Sequence, residues 1–222
     1  MNITVPKPWK GIGMEGGIAR WYARTRQTDM EDFRQEAKTV ANRLTSGSRV
    51  LEVAPGPGFF AIELAKLGDF KITGLDISRA FVQIASENAR KACVEVEFRL
   101  GDASAMPFES GAFDFVYCAA AFKNFSEPIK ALDEMHRVLR PGSEAVVADL
   151  RKDVSLDEID TYVRQSGRAR LDALLTKWAF RCLLIKRAYT RDAFARIAEK
   201  SRFGKYRIDA VPLGFQVSFM KA

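Results

Sequence analysis

A chain of 222 residues, 47% hydrophobic and 28% charged, is long enough to bury one substantial core, too apolar for a disordered chain and too varied for collagen or a coiled coil. Its formal net charge of +7 is uneven: residues 1–50 carry +4, residues 51–150 carry −5 and residues 151–222 carry +8. Without tight Lys/Arg clusters the basic ends read first as solvated faces, with nucleic acid, anionic lipid or an anionic substrate as what they could otherwise attract.

After an irregular start, Thr28 and Glu31 stand three apart as a capping box. Phe33, Ala37, Val40, Ala41 and Leu44 then recur at helical spacing up to Gly47. "RVLEV" is a short strand, a glycine turn follows, and "FFAIELAKLG" predicts a helix stopped by Gly68. "KITGLD" predicts a second strand, Ser78 caps the helix "RAFVQIASENARKA", and "VEVEFR" alternates as a third strand. "FDFVYCAA" continues the pattern, followed by a helix from Pro128 to Leu139 ended by Pro141-Gly142, and by the strand "EAVVADL". Residues 153–189 read as a long, mostly helical stretch. "TRDAFARIAEKSRFG" is a helix with Thr190 at its cap, and "KYRIDAV" and "GFQVSF" close the chain as strands. Strands separated by helices of this length predict an α/β protein whose parallel sheet is covered on both faces. No internal repeat or linker divides it, so a single domain over 1–222 is expected.

The cysteines Cys93, Cys118 and Cys182 form no CxxC pair, which indicates neither a disulfide framework nor a zinc site. No HxxxH, HExxH or carboxylate cluster points to a metal. The N-terminus has no basic segment before an apolar core, and no run approaches the ~20 uncharged residues of a membrane-spanning helix. A soluble, reduced, cytoplasmic protein is expected.

The stretch "LEVAPGPGFF" carries the chemistry. A strand entering a glycine turn and then a helix presents unpaired backbone N–H groups to a ligand, and Gly56 and Gly58 lack the Cβ that would keep it away. Pro57 stiffens the turn. Asp76 ends the second strand, where a carboxylate can accept from both hydroxyls of a ribose. Gly56, Gly58 and Ala61 also satisfy the GxGxxA pattern of dinucleotide-binding oxidoreductases, and a tight structural turn with Asp76 or Asp102 as helix caps remains open on these residues alone.

Glu52 before the turn, Asp102 in "GDASAMPF" and "HRVLRPG" before the fifth strand extend the pattern. Together, "VLEVAPGPGFFAIELAKLG", "ITGLDIS", "GDASAMPFESGAFDFVYCAAAF" and "EMHRVLRPG" resemble the class I S-adenosylmethionine (SAM) dependent methyltransferases, especially the small-molecule branch that includes the ubiquinone/menaquinone-biosynthesis type. The resemblance spans roughly residues 49–150. It implies a Rossmann-like seven-stranded, mostly parallel sheet in the order 3-2-1-4-5-7-6 with strand 7 antiparallel, and SAM as cofactor with S-adenosylhomocysteine as product. It implies that Glu52, Gly56 and Gly58 form the pocket for the methionine part. Asp76 would hold the ribose hydroxyls with Ile77 against adenine, Asp102 would accept from the adenine amino group with Ala103 beside it, and Ala119 would lie under the sulfonium. Ala54 departs from the pattern, standing where the family more often has glycine.

In this family an N-terminal cap (here about 1–45), the loop after strand 4 and an insertion after strand 5 (here about 153–189) cover the active site. Trp21, Tyr22, Phe122 and Phe125 offer flat apolar walls in these segments, and Arg20, Lys123 and Asn124 offer polar orientation. They suit an aromatic or otherwise planar acceptor, an anionic one included. Asp149 is either a base or simply the end of strand 5. A methyl on a sulfonium is already activated, so a strong base is often unnecessary. His136 shares a helical face with Leu132 and Leu139 and reads as structural. The NPPY motif of many amide and adenine N-methyltransferases is absent. An RNA methyltransferase, an NAD(P)-dependent oxidoreductase and a non-catalytic SAM-binding protein are the competing readings, and "LDALLTKWAFRCLLIKRAY" has the composition of a segment that could lie on a membrane surface.

Overall fold

The computed structural model describes residues 9–10, 13–165, 177 and 184–222. Seven strands form one sheet in the order β3-β2-β1-β4-β5-β7-β6. They are β1 Arg49–Val53, β2 Lys71–Asp76, β3 Glu97–Leu100, β4 Phe113–Ala119, β5 Leu139–Leu150, β6 Tyr206–Val211 and β7 Gly214–Met220. The first five pair in parallel, while β7 runs antiparallel to both β5 and β6. The expected order and the antiparallel seventh strand are both present.

Alternation along the strands sorts the core into two layers. Val50, Phe115, Tyr117 and Val146 face α2 (Met30–Ala41) and α3 (Phe59–Ala65), which supply Ala37, Val40, Phe60 and Leu64. Leu51, Val53, Val116, Cys118 and Val147 face the other way, onto α5 (Pro128–Val138) and α7 (Arg191–Glu199), through Leu132, Met135, Val138 and Phe194. In α4 (Arg79–Lys91), Phe81, Ala85 and Ala89 turn inward, and Ser78 caps the helix by accepting from the Phe81 N–H at 3.0 Å. Thr190 caps α7 in the same way, accepting from the Ala193 N–H at 3.2 Å. In the segment after β5 that the sequence reads as mostly helical, α6 spans Leu156–Gln165, and residues 166–176 and 178–183 lie outside the described residues.

Several elements differ from the sequence reading. The start is not irregular throughout: α1 spans Gly16–Arg26. It is held by contacts with α4, because Tyr22 packs edge-on against Phe81 with ring centroids 5.7 Å apart. Glu15 also accepts from the Arg79 and Ala80 N–H groups at 3.0 and 3.1 Å. The Thr28–Glu31 capping box does not form. Thr28 instead donates to the Thr25 carbonyl and the Asp29 carboxylate within a 3₁₀ turn, and Asp29 precedes α2 without a side-chain cap. The third strand begins only at Glu97, and α5 ends at Val138 with no gap before β5. Pro141-Gly142 lies inside β5, in an irregularity where Phe113 and Phe115 pair with Leu139 and Glu144, and Gly142 takes a φ of 76° that favours glycine.

Phe122 anchors the loop after β4. It is 0% exposed and lies 5.0 Å from Phe194 and 5.4 Å from Phe125, centroid to centroid. Phe122→Ala should therefore lower unfolding stability by about 3–5 kcal/mol in urea titration; an unchanged midpoint would contradict its anchoring role.

Candidate active site

The ends of β1, β2, β3 and β4 converge at one edge of the sheet. After β1 the chain passes through three left-handed residues: Ala54 (φ 58°), Gly56 (φ 55°) and Gly58 (φ 79°). The Ala54 N–H donates to the Leu75 carbonyl at 2.8 Å, the Gly58 N–H to Pro55 at 3.0 Å, and the Asn88 side chain to Pro57 at 2.9 Å. Ala54 holds this conformation despite its Cβ, at a cost of roughly 1 kcal/mol.

The two glycines do different work. A Cβ on Gly58 would lie 2.7 Å from Phe98 and 2.9 Å from Ala85, so its bareness lets α4 and β3 close on the turn. A Cβ on Gly56 would meet only the Tyr22 ring, at 4.0 Å. Gly56 therefore opens onto free space with one aromatic edge above it, and a ligand can approach its backbone there.

Asp76 joins the turn to the second strand. One carboxylate oxygen accepts from the Gly56 N–H at 3.0 Å and the other from the Ser78 N–H at 2.8 Å. Burial pushes the carboxyl up to about 6, although the amides of Ser78, Gly56 and Ile77 pull in the opposite direction. Ile77 follows it, half-buried. The Gly101 N–H donates to the Asp76 carbonyl at 2.9 Å, which brings Asp102 and Ala103 alongside. Asp102 is turned locally, accepting from the Ser104 N–H and hydroxyl at 2.8 Å each. Ala119 ends β4, half-buried, and Ala120 adopts a φ of 57°.

Glu52 points into the α2/α3 layer beside its β4 partner Tyr117. The Ala61 N–H donates to its carboxyl, yet Oε2 is buried with no hydrogen-bond partner. Burial pushes Glu52 up to about 8, helped by Glu36 and Asp76. Glu36 is itself raised by burial and partly brought back by Arg26 and a hydrogen bond from Tyr117. Arg26 in turn pairs with Asp29 at 2.5 Å and lies 4.9 Å over the Phe33 ring. Sequence reasoning missed Glu36, Tyr117 and Arg26; an acid inside an otherwise apolar strand was the only local sign of this cluster.

The acceptor-side candidates are less open than expected. Tyr22 does cover Gly56. Phe122 is a core anchor instead of an exposed wall, and Trp21 is 64% exposed on the outer side of α1. Lys123 is only 2% exposed and is not a free cation: its ammonium donates to Asp149 Oδ1 at 2.7 Å and to the Ala120 carbonyl. Asp149 also accepts from the Lys123 N–H at 2.7 Å and the Leu150 N–H at 2.8 Å. With both oxygens engaged, it anchors the loop after β4. The Asn124 carbonyl accepts from the Lys10 N–H at 2.7 Å. Beside it, the Lys10 ammonium donates to the Tyr189 hydroxyl at 3.0 Å, adding two residues that the sequence did not single out. His136 is half-buried and edge-on to Phe203 at 5.1 Å, and burial lowers its pKa.

Residues 51–147 match a family model described as a methyltransferase domain. The chain is 38% identical over 105 residues to a demethylmenaquinone methyltransferase of Deinococcus radiodurans, covering 47% of this chain and 44% of that one. It is 30% identical over 170 residues to O-methyltransferase cnsE of Penicillium expansum, covering 62% of each. The chain thus spans about half the length of the curated relatives it matches. The crystal structure of a SAM-dependent methyltransferase from Aquifex aeolicus shares the fold, with a TM-score of 0.65 at 21% identity over 92% of this chain and 97% of that one.

Two variants test the electrostatics. Between pH 4.5 and about 8, folded Glu52 keeps a proton that the unfolded chain releases, so the wild type loses stability as pH rises through that window. Glu52→Gln has no such loss. Thermal melts should coincide at the acid end and favour the variant above the window by a few kcal/mol, at ~1.4 kcal/mol per pH unit; parallel pH profiles would contradict a neutral Glu52. Lys123→Met leaves a buried carboxylate without its cation and should cost about 3–5 kcal/mol in chemical denaturation. A cost below ~1 kcal/mol would mean that solvent reaches the pair.

Proposed function

We propose that the chain is a class I SAM-dependent methyltransferase, a reading supported by the methyltransferase-domain match over residues 51–147 and by the strand order, and that it transfers the methyl of SAM to a small, planar, aromatic-type acceptor. The observation that carries the reading is the single hydrogen bond from Gly56 to Asp76. It joins an open glycine turn and a buried carboxylate into one cradle, as a ligand with a ribose at its centre requires.

The residues fit the group. Asp76 has lone pairs left for ribose hydroxyls, Asp102 stands beside it for the adenine amino group with Ile77 and Ala103 as apolar neighbours, and Glu52 Oε2 is an acceptor without a donor. The ammonium of the methionine end would supply that donor, and Gly56 leaves room for its backbone to pass. Ala119, at the end of β4, is the proposed floor under the sulfonium.

Bound SAM supplies a methyl group activated by a sulfonium leaving group. The chain's part is alignment and exclusion of water. Tyr22 covers the turn, while the buried Lys123–Asp149 pair fixes the loop after β4 that borders the acceptor's approach. Asp149, held by three N–H donors, serves as the anchor of that loop, and a methyl on a sulfonium needs no strong base. The name of one relative, a demethylmenaquinone methyltransferase, supports a planar acceptor. Among the described residues no helix is long and apolar enough to cross a membrane.

Binding should be linked to protons. Glu52, at about 8, holds a proton in the free protein through most of the range from pH 6 to 8, while Asp76, at about 6, is half-protonated only at its acid end, and a ligand ammonium beside Glu52 favours the ionised form. S-adenosylhomocysteine should therefore bind more tightly as pH rises from 6 toward 8, releasing protons. Calorimetry in buffers of different ionisation enthalpy reads this directly, and tighter binding at the acid end would contradict it. Asp76→Asn should weaken the same ligand roughly 10- to 100-fold through lost charge-assisted hydrogen bonds; unchanged affinity would remove Asp76 from the site.

A further inference from the structure

Helix α1 has two faces. Tyr22, Arg26, Ala19 and Ala23 turn toward the body of the protein, with Ala19 and Ala23 buried. At 100° per residue, the opposite arc carries Arg20, Arg24, Trp21 and Ile18 in that angular order. All four are exposed, Trp21 at 64% and Ile18 at 46%. The other large apolar side chains exposed among the described residues, Leu67, Leu100, Leu156, Val211 and Met220, lie scattered near five different elements. Only α1 sets two of them one turn apart, so its outer face is an apolar stripe bordered by two arginines.

We propose that this outer face of α1 is a docking surface for an anionic lipid bilayer. The occupant follows from charge and side-chain type together. The helix, "GGIARWYARTR", contains no acidic residue, and its outer face carries two arginines, the third, Arg26, being paired with Asp29 on the inner side. The nearby Glu15 is turned away, both of its oxygens accepting from backbone N–H groups at the start of α4. Trp is the residue best suited to the depth where acyl chains meet headgroups, Ile18 adds apolar area beside it, and Arg20 and Arg24 sit where phosphates and serine carboxylates would lie. A protein partner or a second copy would have to bring its own acidic rim to the arginines, whereas an anionic bilayer presents one everywhere. The same helix turns Tyr22 toward Gly56, so a bilayer on the outer face lies about one helix diameter, ~10–12 Å, from the glycine turn. An acceptor dissolved in that bilayer would enter close to the cofactor cradle.

The test is co-sedimentation of the full chain with phosphatidylcholine vesicles, with and without phosphatidylserine, at low and physiological salt. The wild type should bind the anionic vesicles, more weakly at higher salt, and bind the neutral ones at least tenfold less tightly. Trp21→Ala/Ile18→Ser and Arg20→Gln/Arg24→Gln should each weaken binding to anionic vesicles about tenfold or more. These residues are at the surface, and unaltered far-UV circular dichroism and S-adenosylhomocysteine affinity would show that each variant keeps its fold. Absence of wild-type binding at low salt, or equal binding by all three proteins, overturns the proposal. A dimer on gel filtration that dissociates in Trp21→Ala would assign the face to a second copy and overturn it equally. Vesicle binding without S-adenosylhomocysteine binding would leave the docking surface standing and remove the methyltransferase reading, so the two fail separately.

Discussion

The carboxylate of Asp76 is where the separate parts of this protein meet. Its two oxygens accept from the turn after β1 and from the start of α4, and its own carbonyl accepts from Gly101 after β3. Three consecutive crossovers of a parallel sheet are therefore tied at one point, at the carboxyl edge where such sheets bind ligands. Glu15 and the Met14 carbonyl, which accepts from Ser78, bind the N-terminal helix to the same place. Loss of this knot would free the glycine turn, the start of α4 and the cap together.

Such a knot is bought with buried charge. Asp76 and Glu52 are both buried, and desolvation raises both above the ordinary carboxylate range. Amides soften the effect at Asp76 more completely than at Glu52, whose second oxygen has no partner. A stable fold does not retain an unpaired buried acceptor without a cost of about 1–3 kcal/mol. The proposed cofactor, cationic at both its sulfonium and its ammonium, would relieve that cost, which makes binding and stabilisation one effect. On the acceptor side the charges are already balanced: Lys123 and Asp149 neutralise each other inside the loop after β4, giving rigidity.

The order of strands and the helix caps at Ser78 and Thr190 were legible because they rest on local signals: alternation, an apolar period of 3.6 and a hydroxyl at the right offset. The Gly56–Asp76 relation was legible as a pattern of spacing, and the hydrogen bond supplies its physical content. Helix α1 escaped notice because its glycine start argues against a helix in isolation, and contacts with α4 stabilise it. The capping box at Thr28 failed for a related reason: a nearer carbonyl and the neighbouring Asp29 took the hydroxyl. Phe122 and Lys123 read as site walls because nothing in their neighbourhood announces Phe194 or Asp149, which reach them only through the folded sheet. Gly58 was legible as a glycine that must be there, but only packing against Phe98 and Ala85 shows that the protein itself fills the space.

The most direct measurement is calorimetric titration of the purified chain with SAM, S-adenosylhomocysteine and NADH in parallel. The account predicts micromolar binding of the first two and none of the third. Binding of NADH alone would contradict it, and would mean that the cradle between Gly56 and Asp76 serves a redox nucleotide instead of a methyl donor.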